Sequence, residues 1–352
     1  MTEHFPYMQR ALSLARLGLG STYPNPMVGA VVVHGNRIIG EGWHRQAGTP
    51  HAEVHALGSV LQKEWLPEST LYVSLEPCCH YGKTPPCTEL ILRSGVRRVV
   101  VATLDPNPIV AGKGVAQLRA QGIEVVVGIM EKEARYLNRR FWTQHQRQRP
   151  YIILKWAQSA DGFMAPDRQP EGAPFWLSNP LTRQRVHQWR SQEAAVLVGT
   201  QTALIDNPAL TVRDWSGPQP LRVYVDAHQR VPQTHALRDG STPTLVLTQT
   251  PQYPEAPLLK VVTLNAAEAL PQAWLAALHA QQVSSVLVEG GAQTLRTFIH
   301  AGCWDEARVV CTPHWLGKGL QAPILDAPRI HQEQVGTDTI NTFHPYDYEY
   351  HF

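Results

Sequence analysis

The 352-residue chain has no apolar run approaching the roughly 20 residues that a membrane span requires, so no membrane-spanning helix is expected. The opening stretch MTEHFPYMQR has no hydrophobic core behind a basic start, so no signal peptide is expected either. Charged residues are scarce, at 17%, against about 25% in an ordinary globular protein, which argues against long disordered or coiled-coil regions. Neither sign dominates: 31 Lys and Arg face 29 Asp and Glu, for a net charge of +2. A dedicated nucleic-acid binder would carry a strongly basic face, so no nucleic-acid partner is expected. Cysteine is also sparse. The five are Cys78, Cys79, Cys87, Cys303 and Cys311, an odd number, and three fall within ten residues. A secreted disulfide framework would spread them; a local metal site in a reducing compartment fits better, and the expected setting is the cytoplasm.

What is present points to a two-domain α/β protein. Apolar residues make up 43%, and 28 prolines with 25 glycines suit many short loops. At about 100–200 residues per domain the length predicts two domains. In the first half, helical spacing covers residues 5–17, followed by a strand over 27–33 and its return to 40. Thr49-Pro50 reads as a helix start, with the helix running over 51–61. Strands are expected over 70–75, 96–103 and 123–128, helices over 88–93 and 114–121, and one charged helix over 131–145. The polar segment Gln146-Arg147-Gln148-Arg149-Pro150 is the predicted boundary, giving domains 1–146 and 150–352. Beyond it, strands are expected over 151–159, 194–200, 221–226, 244–248, 260–264, 284–289 and 308–312, with helical stretches between. Residues after about 330 carry no readable pattern.

The most informative cluster is His51-Ala52-Glu53, then Glu76-Pro77-Cys78, then Pro85-Pro86-Cys87. One imidazole and two thiolates suit zinc, and three protein ligands leave a fourth position for water. Zinc brings the pKa of such a water towards neutrality. A nearby carboxylate that is not a ligand, Glu53, can then move protons between that water and a leaving amine. Being two positions apart, His51 and Glu53 do not share a helix face and converge only at an open helix start. The alternative is a structural zinc, with Cys79 or His80 as a fourth ligand.

This pattern resembles the zinc-dependent cytidine-deaminase superfamily, with its H-x-E…P-C-x-x-C signature. It departs from that signature in placing eight residues between Cys78 and Cys87. The longer form LEPCCHYGKTPPC is similar to the deaminase domain of the bifunctional riboflavin-biosynthesis deaminase/reductase family, and Thr22 to Gly29 and Asp105-Pro106-Asn107-Pro108 also match that family's loops. The resemblance implies that Asn25, His80 and Lys83 contact substrate. On the residues alone, Asn25 serves equally well as a turn former and Lys83 as a solvated charge.

Gly18-Leu19-Gly20 fails as a dinucleotide fingerprint, since Tyr23 stands where the third glycine belongs and the pair follows a helix. A better phosphate cradle is the apolar strand running into Gly290-Gly291 and then a helix; a tight turn with no ligand is the alternative. Lys155 to Gly162 and Thr202 to Arg213 resemble the reductase domain of the same family. The resemblance spans residues 1 to about 325. It implies a cytidine-deaminase-like α/β/α domain followed by a dihydrofolate-reductase-like α/β domain, with zinc and NADPH as cofactors. By position it assigns NADPH contacts to Ala157, Trp176, Thr202, Asp206, Gly291, Ala292, Gln293, Thr294, Leu295, Arg296 and Thr297. Substrate contacts fall on Lys155, Arg190, Leu210, Arg213 and Glu289. Arginine forks suit a sugar phosphate. Pro174 stands where relatives often have a serine, so that contact is not carried over. The implied substrate is a pyrimidine ribosyl phosphate, and a homodimer or higher homo-oligomer is expected by resemblance. A nucleic-acid base deaminase and a zinc-stapled binding protein with a decayed reductase are the rival readings.

Overall fold

The computed structural model describes residues 2–81, 85–167 and 175–345. The chain divides after Arg147 into two compact units, within the polar segment at 146–150.

The first unit holds helices α1 (Phe5–Ala15), α2 (Ala52–Ser59), α3 (Cys87–Ser94), α4 (Lys113–Ala120), α5 (Glu131–Leu137) and α6 (Arg139–Gln146). Its strands are β1 (Gly29–His34), β2 (Arg37–Trp43), β3 (Thr70–Val73), β4 (Arg98–Val101) and β5 (Glu124–Val127). They form one sheet in the order β2-β1-β3-β4-β5, antiparallel around β1 and parallel from β3 to β5. Side chains alternate across the sheet, as the strand period of two requires. Ala30 and Val32 face Ala52, Ala56, Ile91 and Leu118 from α2, α3 and α4. Val31 and Val33 face Met8, Ala11, Leu12 and Ala15 of α1. The result is three layers with the sheet in the middle.

Two local expectations are corrected, and one unassigned segment is resolved. Thr49 does not cap α2; its hydroxyl donates to Gln46 O, and His51 is the residue that precedes the helix in extended conformation. The expected helix over 131–145 is two helices broken at Asn138, whose amide accepts from Met27 N and donates to Met27 O. Holding both backbone groups of a residue 111 positions away outweighs continuing the helix. The terminal residues, unreadable in sequence, form two strands of the second unit.

The second unit holds α7 (Pro180–Gln192), α8 (Thr200–Asp206), α9 (Gln272–Ala280) and α10 (Ala292–His300). Its strands are β6 (Tyr151–Gln158), β7 (Phe163–Pro166), β8 (Ala195–Val198), β9 (Leu221–Val225), β10 (Thr244–Thr248), β11 (Leu259–Thr263), β12 (Ser285–Gly290), β13 (Glu306–Cys311), β14 (Gly319–Gln321), β15 (Arg329–Val335) and β16 (Asp338–Phe343). Nine form a sheet ordered β11-β10-β9-β8-β12-β6-β13-β16-β15, parallel from β11 to β13, with β16 antiparallel to both its neighbours. Strands β7 and β14 pair apart from it. The apolar strands read as near-continuous runs because parallel sheets bury both faces. Ile152, Leu154, Trp156, Val286 and Val288 pack against Leu275, Leu295 and Phe298 of α9 and α10.

Gly42 on β2 fixes how closely α2 approaches the sheet. A Cβ there would lie 2.5 Å from Ala56 N and 2.6 Å from Ala52 O, both backbone atoms that cannot swing aside. Gly42→Ala is therefore expected to push α2 outward and destabilise the first unit by about 1–3 kcal/mol, the usual range for overpacking. Thermal unfolding checks this, with Gly42→Val expected to fall further.

Candidate functional site

In the first unit three donor groups meet at the start of two helices. His51 stands immediately before α2, and Cys87 is the first residue of α3. Cys78 lies on the loop leaving β3. Their ligand atoms all fall within 4.8 Å of one another. His51 Nδ1 is 3.3 Å from Cys87 Sγ and 3.5 Å from Cys78 Sγ. A tetrahedral ion with N and S ligands at zinc distances would separate them by about 3.5 Å, so the set fits zinc. Among the described residues neither Cys79 nor His80 belongs to the cluster. Cys79 is half-buried and His80 exposed. That leaves three protein donors, the pattern of an open site. The Cys78 thiol is pushed down to about 4, chiefly by its hydrogen bond with Cys87 and then by His51, while Cys87 is pushed up.

Glu53 sits in the first turn of α2, 3% exposed. Burial pushes its carboxyl above the ordinary range, and the Cys78 charge adds to that. It has hydrogen-bond contact with the Cys87 thiol and no ion pair among the described residues. The helix-start convergence expected from the His-x-Glu spacing is what the fold produces.

Two residues that carry the surroundings were given no role from the sequence: His44, and Glu76, which was read only as part of the Glu76-Pro77-Cys78 motif. His44 is buried, with its ring edge-on to His51 at 5.4 Å between centroids. Its Nδ1 lies 3.2 Å from Pro50 O, which can only accept, so Nδ1 carries the proton and Nε2 accepts. Burial lowers the His44 pKa and keeps the ring neutral. Asn25 Nδ2, 3.2 Å from His44 Nε2, must therefore donate, which fixes the direction of the Asn25 amide. Asn25 N also donates to Thr22 O, so it serves the turn as well. Glu76 accepts from Asp105 N at 3.1 Å, Gly112 N at 2.8 Å and Val115 N at 3.0 Å. It ties the Asp105-Pro106-Asn107-Pro108 loop to the residue before Pro77-Cys78. Burial pushes Asp105 up to about 7. Lys83 lies outside the described residues, as does Pro174.

In the second unit the strand ends carry a second cluster. Arg190 of α7 clasps Glu289 of β12 with Nε–Oε1 2.6 Å and Nη2–Oε2 2.8 Å, and donates from Nη1 to Thr211 O. Burial alone would push Glu289 up, but the Arg190 charge and hydrogen bonds, with Lys155, hold it below the carboxylate range. Lys155 projects from β6 and is half-buried; burial lowers its pKa against the pull of Glu289. It makes no hydrogen bond or ion pair within 4 Å among the described residues, and the nearest opposite charge acting on it is Glu289.

Two glycine turns lie beside this cluster, on the adjacent strands β8 and β12. A Cβ on Gly199 would collide with Thr294 Oγ1, and Gly291, at φ 77, has Thr202 Oγ1 3.1 Å from where its Cβ would be. Gly291 precedes α10, whose first amides have no side-chain cap. A backbone approached this closely, with free N–H groups, fits a dinucleotide phosphate. Thr202 and Thr294 flank it. Ala157 sits on β6, half-buried, and Asp206 is exposed at the end of α8. Trp176 is 53% exposed, with the Arg183 guanidinium 5.3 Å from its ring. Leu295 is fully buried in the core, so its side chain does not face a ligand. Arg296 donates to Gln321 O, and Thr297 to Gln293 O within the helix. Ala292 is buried and Gln293 exposed. Leu210 is buried at φ 52, a conformation costly for a branched side chain. Arg213 is exposed near Asp214, at 3.8 Å, and does not join Arg190 and Glu289.

Residues 150–343 match the model of the RibD C-terminal domain, and residues 1–103 match that of the cytidine and deoxycytidylate deaminase zinc-binding region. The riboflavin biosynthesis protein RibD of Aquifex aeolicus is 42% identical, over 97% of this chain and 98% of that protein. Its Escherichia coli counterpart is 38% identical, over 94% and 95%. The chain belongs to the RibD family. Among solved structures, the deaminase/reductase of Thermotoga maritima is similar at a TM-score of 0.88 with 35% identity, covering 98% of this chain and 99% of that one. RibD from Acinetobacter baumannii follows at 0.86, with 35% identity and the same coverage. The two units are thus a cytidine-deaminase-like α/β/α domain and a dihydrofolate-reductase-like α/β domain. A RibD chain is a two-activity enzyme of riboflavin biosynthesis, a zinc-dependent deaminase joined to an NADPH-dependent reductase.

The Arg190–Glu289 clasp has a pH signature. A carboxyl held below its ordinary 4.5 contributes stability that is present above that pH and lost as pH falls through the folded value. Glu289→Gln is expected to destabilise the second unit at neutral pH by about 3–5 kcal/mol, since it leaves Arg190 buried and unpaired. It is also expected to flatten that unit's loss of stability below pH 4.5, which denaturant titrations on either side of this pH would measure.

Proposed function

We propose that this chain carries out two successive steps on a pyrimidine ribosyl phosphate. The first is hydrolytic deamination of 2,5-diamino-6-(ribosylamino)-4(3H)-pyrimidinone 5′-phosphate. The second is reduction of the ribosyl side chain to ribityl. The substrate names follow those that the T. maritima structure bears, a diaminohydroxyphosphoribosylaminopyrimidine deaminase and 5-amino-6-(5-phosphoribosylamino)uracil reductase. The observation that carries the reading is the three-donor set with a non-ligating buried carboxylate beside it.

His51, Cys78 and Cys87 hold the zinc. Bound there, zinc supplies a polarised water of near-neutral pKa. Glu53 does the proton work: it takes a proton from the attacking water and returns one to the departing amine nitrogen, so that ammonia leaves. Asn25, its amide direction set by neutral His44, turns Oδ1 outward to accept from a substrate N–H. The loop that Glu76 pins closes the other side, and Lys83 and His80 on the insert belong to substrate holding. The residues fit no base extruded from a nucleic acid any better, and the second domain has no use in that reading.

Bound in the reductase domain, NADPH would supply the hydride that turns ribosyl C1 into the CH2 of a ribityl chain. The turn at Gly291 to Thr294, with Thr202 opposite, holds the cofactor phosphates; Ala157, Trp176 and Asp206 border the same strand ends. Lys155, with no hydrogen bond or ion pair among the described residues, meets the polar end of the substrate. Glu289 fixes Arg190, and Arg190 with Arg213 and the Leu210 backbone receives the sugar phosphate. The reading includes a cytoplasmic setting, in keeping with five free cysteines. No helix among the described residues is long and apolar enough to cross a membrane. It also includes a homodimer or higher homo-oligomer, for which the exposed outer edge of β15 offers unpaired backbone groups.

Glu53→Ala is expected to lower ammonia release by about 10²–10⁴-fold, the range general acid–base catalysis contributes. It should leave zinc content and NADPH oxidation on the deaminated intermediate intact. Deamination at the wild-type rate in that variant would refute the role. Cys87→Ala is expected to lose zinc by elemental analysis, along with deamination.

A further inference from the structure

The order of the strands fixes which way a dinucleotide lies across the reductase sheet; this inference rests on the cofactor reading just given. Lys155 on β6 and Glu289 on β12 mark the substrate side, where the nicotinamide must be. Gly199 and Gly291 end the neighbouring β8 and β12 turns. The adenosine half therefore runs away from β6, over β8, towards the end of β9. Strands are about 4.8 Å apart, so the end of β9 lies on the order of 10 Å from that of β12, a distance the adenosine ribose covers.

In dinucleotide-binding α/β folds an acidic side chain near that ribose favours a free 2′-hydroxyl, and an arginine accommodates a 2′-phosphate. An acid does end β9 here, but it turns inward. Asp226 is fully buried. Its Oδ1 accepts from Arg230 N at 2.9 Å, and its Oδ2 from Val231 N at 2.9 Å and from the Tyr253 hydroxyl at 2.8 Å. The carboxylate is consumed in holding its own turn, so it neither reaches a ribose hydroxyl nor presents bare charge to a phosphate. The turn exposes two basic side chains instead, His228 and Arg230. Neither side chain makes a hydrogen bond or ion pair among the described residues.

We propose that His228 and Arg230 form the 2′-phosphate subsite of the reductase and set its preference for NADPH over NADH. A guanidinium fork on a pinned turn gives a phosphomonoester two parallel charge-assisted bonds, and the inward-facing Asp226 removes the acid that would select NADH. Arg190, by contrast, clasps Glu289 on the substrate side, so the two phosphates of the reacting pair meet separate arginines.

The test is calorimetric titration of the full-length protein, wild type, Arg230→Glu and His228→Ala, with NADPH, NADH and 2′,5′-ADP. Both residues are exposed, and unchanged melting curves would show that the variants fold. Arg230→Glu is expected to weaken NADPH and 2′,5′-ADP at least tenfold and leave NADH unchanged or tighter, with His228→Ala following in the same direction by less. Added salt is expected to weaken NADPH binding more in wild type than in Arg230→Glu. NADPH bound as tightly by both variants as by wild type would overturn the subsite while leaving the glycine cradle standing. Equal losses of NADPH and NADH would overturn it as well, since the turn would then act on the shared part of the cofactor. A wild-type protein that binds neither dinucleotide would bring down the cofactor reading itself.

Discussion

For His51, Cys78 and Cys87 to share one ion, two helices must begin within a few ångströms of each other, and most of the first unit serves that constraint. Helix α2 lies close on β2 because Gly42 has no side chain to hold it off. Helix α3 starts at Cys87 itself, with the backbone N–H of that residue 3.3 Å from Cys78 Sγ. The loop bearing Cys78 is anchored one step earlier, by the three amides that converge on Glu76. A helix start also gives positive potential from unpaired N–H groups, which favours thiolate over thiol there. Geometry and electrostatics therefore come from the same structural choice.

The reductase unit solves its own version of the problem without a metal. Its reactive groups sit at the C-terminal ends of parallel strands, where an open α/β sheet presents its crevice. Glu289 leaves β12 one residue before the Gly290-Gly291 turn, so a single short segment offers both the anchor for Arg190 and the phosphate cradle. Lys155 enters from the neighbouring β6, in register with Arg308 on β13. Because β6 and β12 are adjacent, Lys155, Glu289 and the glycine turn come together without any long loop having to bring them there.

How much of this was legible depended on how local the cause was. Gly95 and Gly122 end their helices by adopting φ near 83 and 82, a signal written in the residue itself. The His-x-Glu pair was legible because helix geometry allows only one way for it to converge. The break at Asn138 was not, since its partner is the Met27 backbone, and no local pattern announces a contact 111 residues distant. Strands β15 and β16 were unreadable because β15 is exposed along most of its length and lacks the apolar alternation that marks a half-buried strand. Leu295 was assigned to the cofactor with its neighbours in the Gly291 to Thr297 stretch; helical periodicity, applied there, puts it on the core face with Phe298. His44 and Glu76 act through backbone atoms and a tautomer, features with no spacing to detect.

The two buried glutamates show why residue type alone could not have assigned the roles. Glu53 and Glu289 are both shielded from solvent and both stand beside a helix start. Glu289 is clasped on both oxygens by Arg190, with Lys155 adding to the field, so its charge is fixed and it holds no exchangeable proton at working pH. It can orient but not shuttle. Among the described residues Glu53 has no cationic side chain of that kind clasping it; the imidazole of His51 and the thiols of Cys78 and Cys87 act on it, and burial pulls it towards the protonated form. A carboxyl drawn towards its protonated form and not locked by a cation is the kind that suits giving and taking a proton. The difference is set by what faces each carboxylate across a few ångströms, an arginine from α7 in one case and a ligand cluster in the other. The tertiary fold, acting on the same side chain twice, therefore locks one glutamate as a charged strut and leaves the other suited to the proton transfer proposed for it.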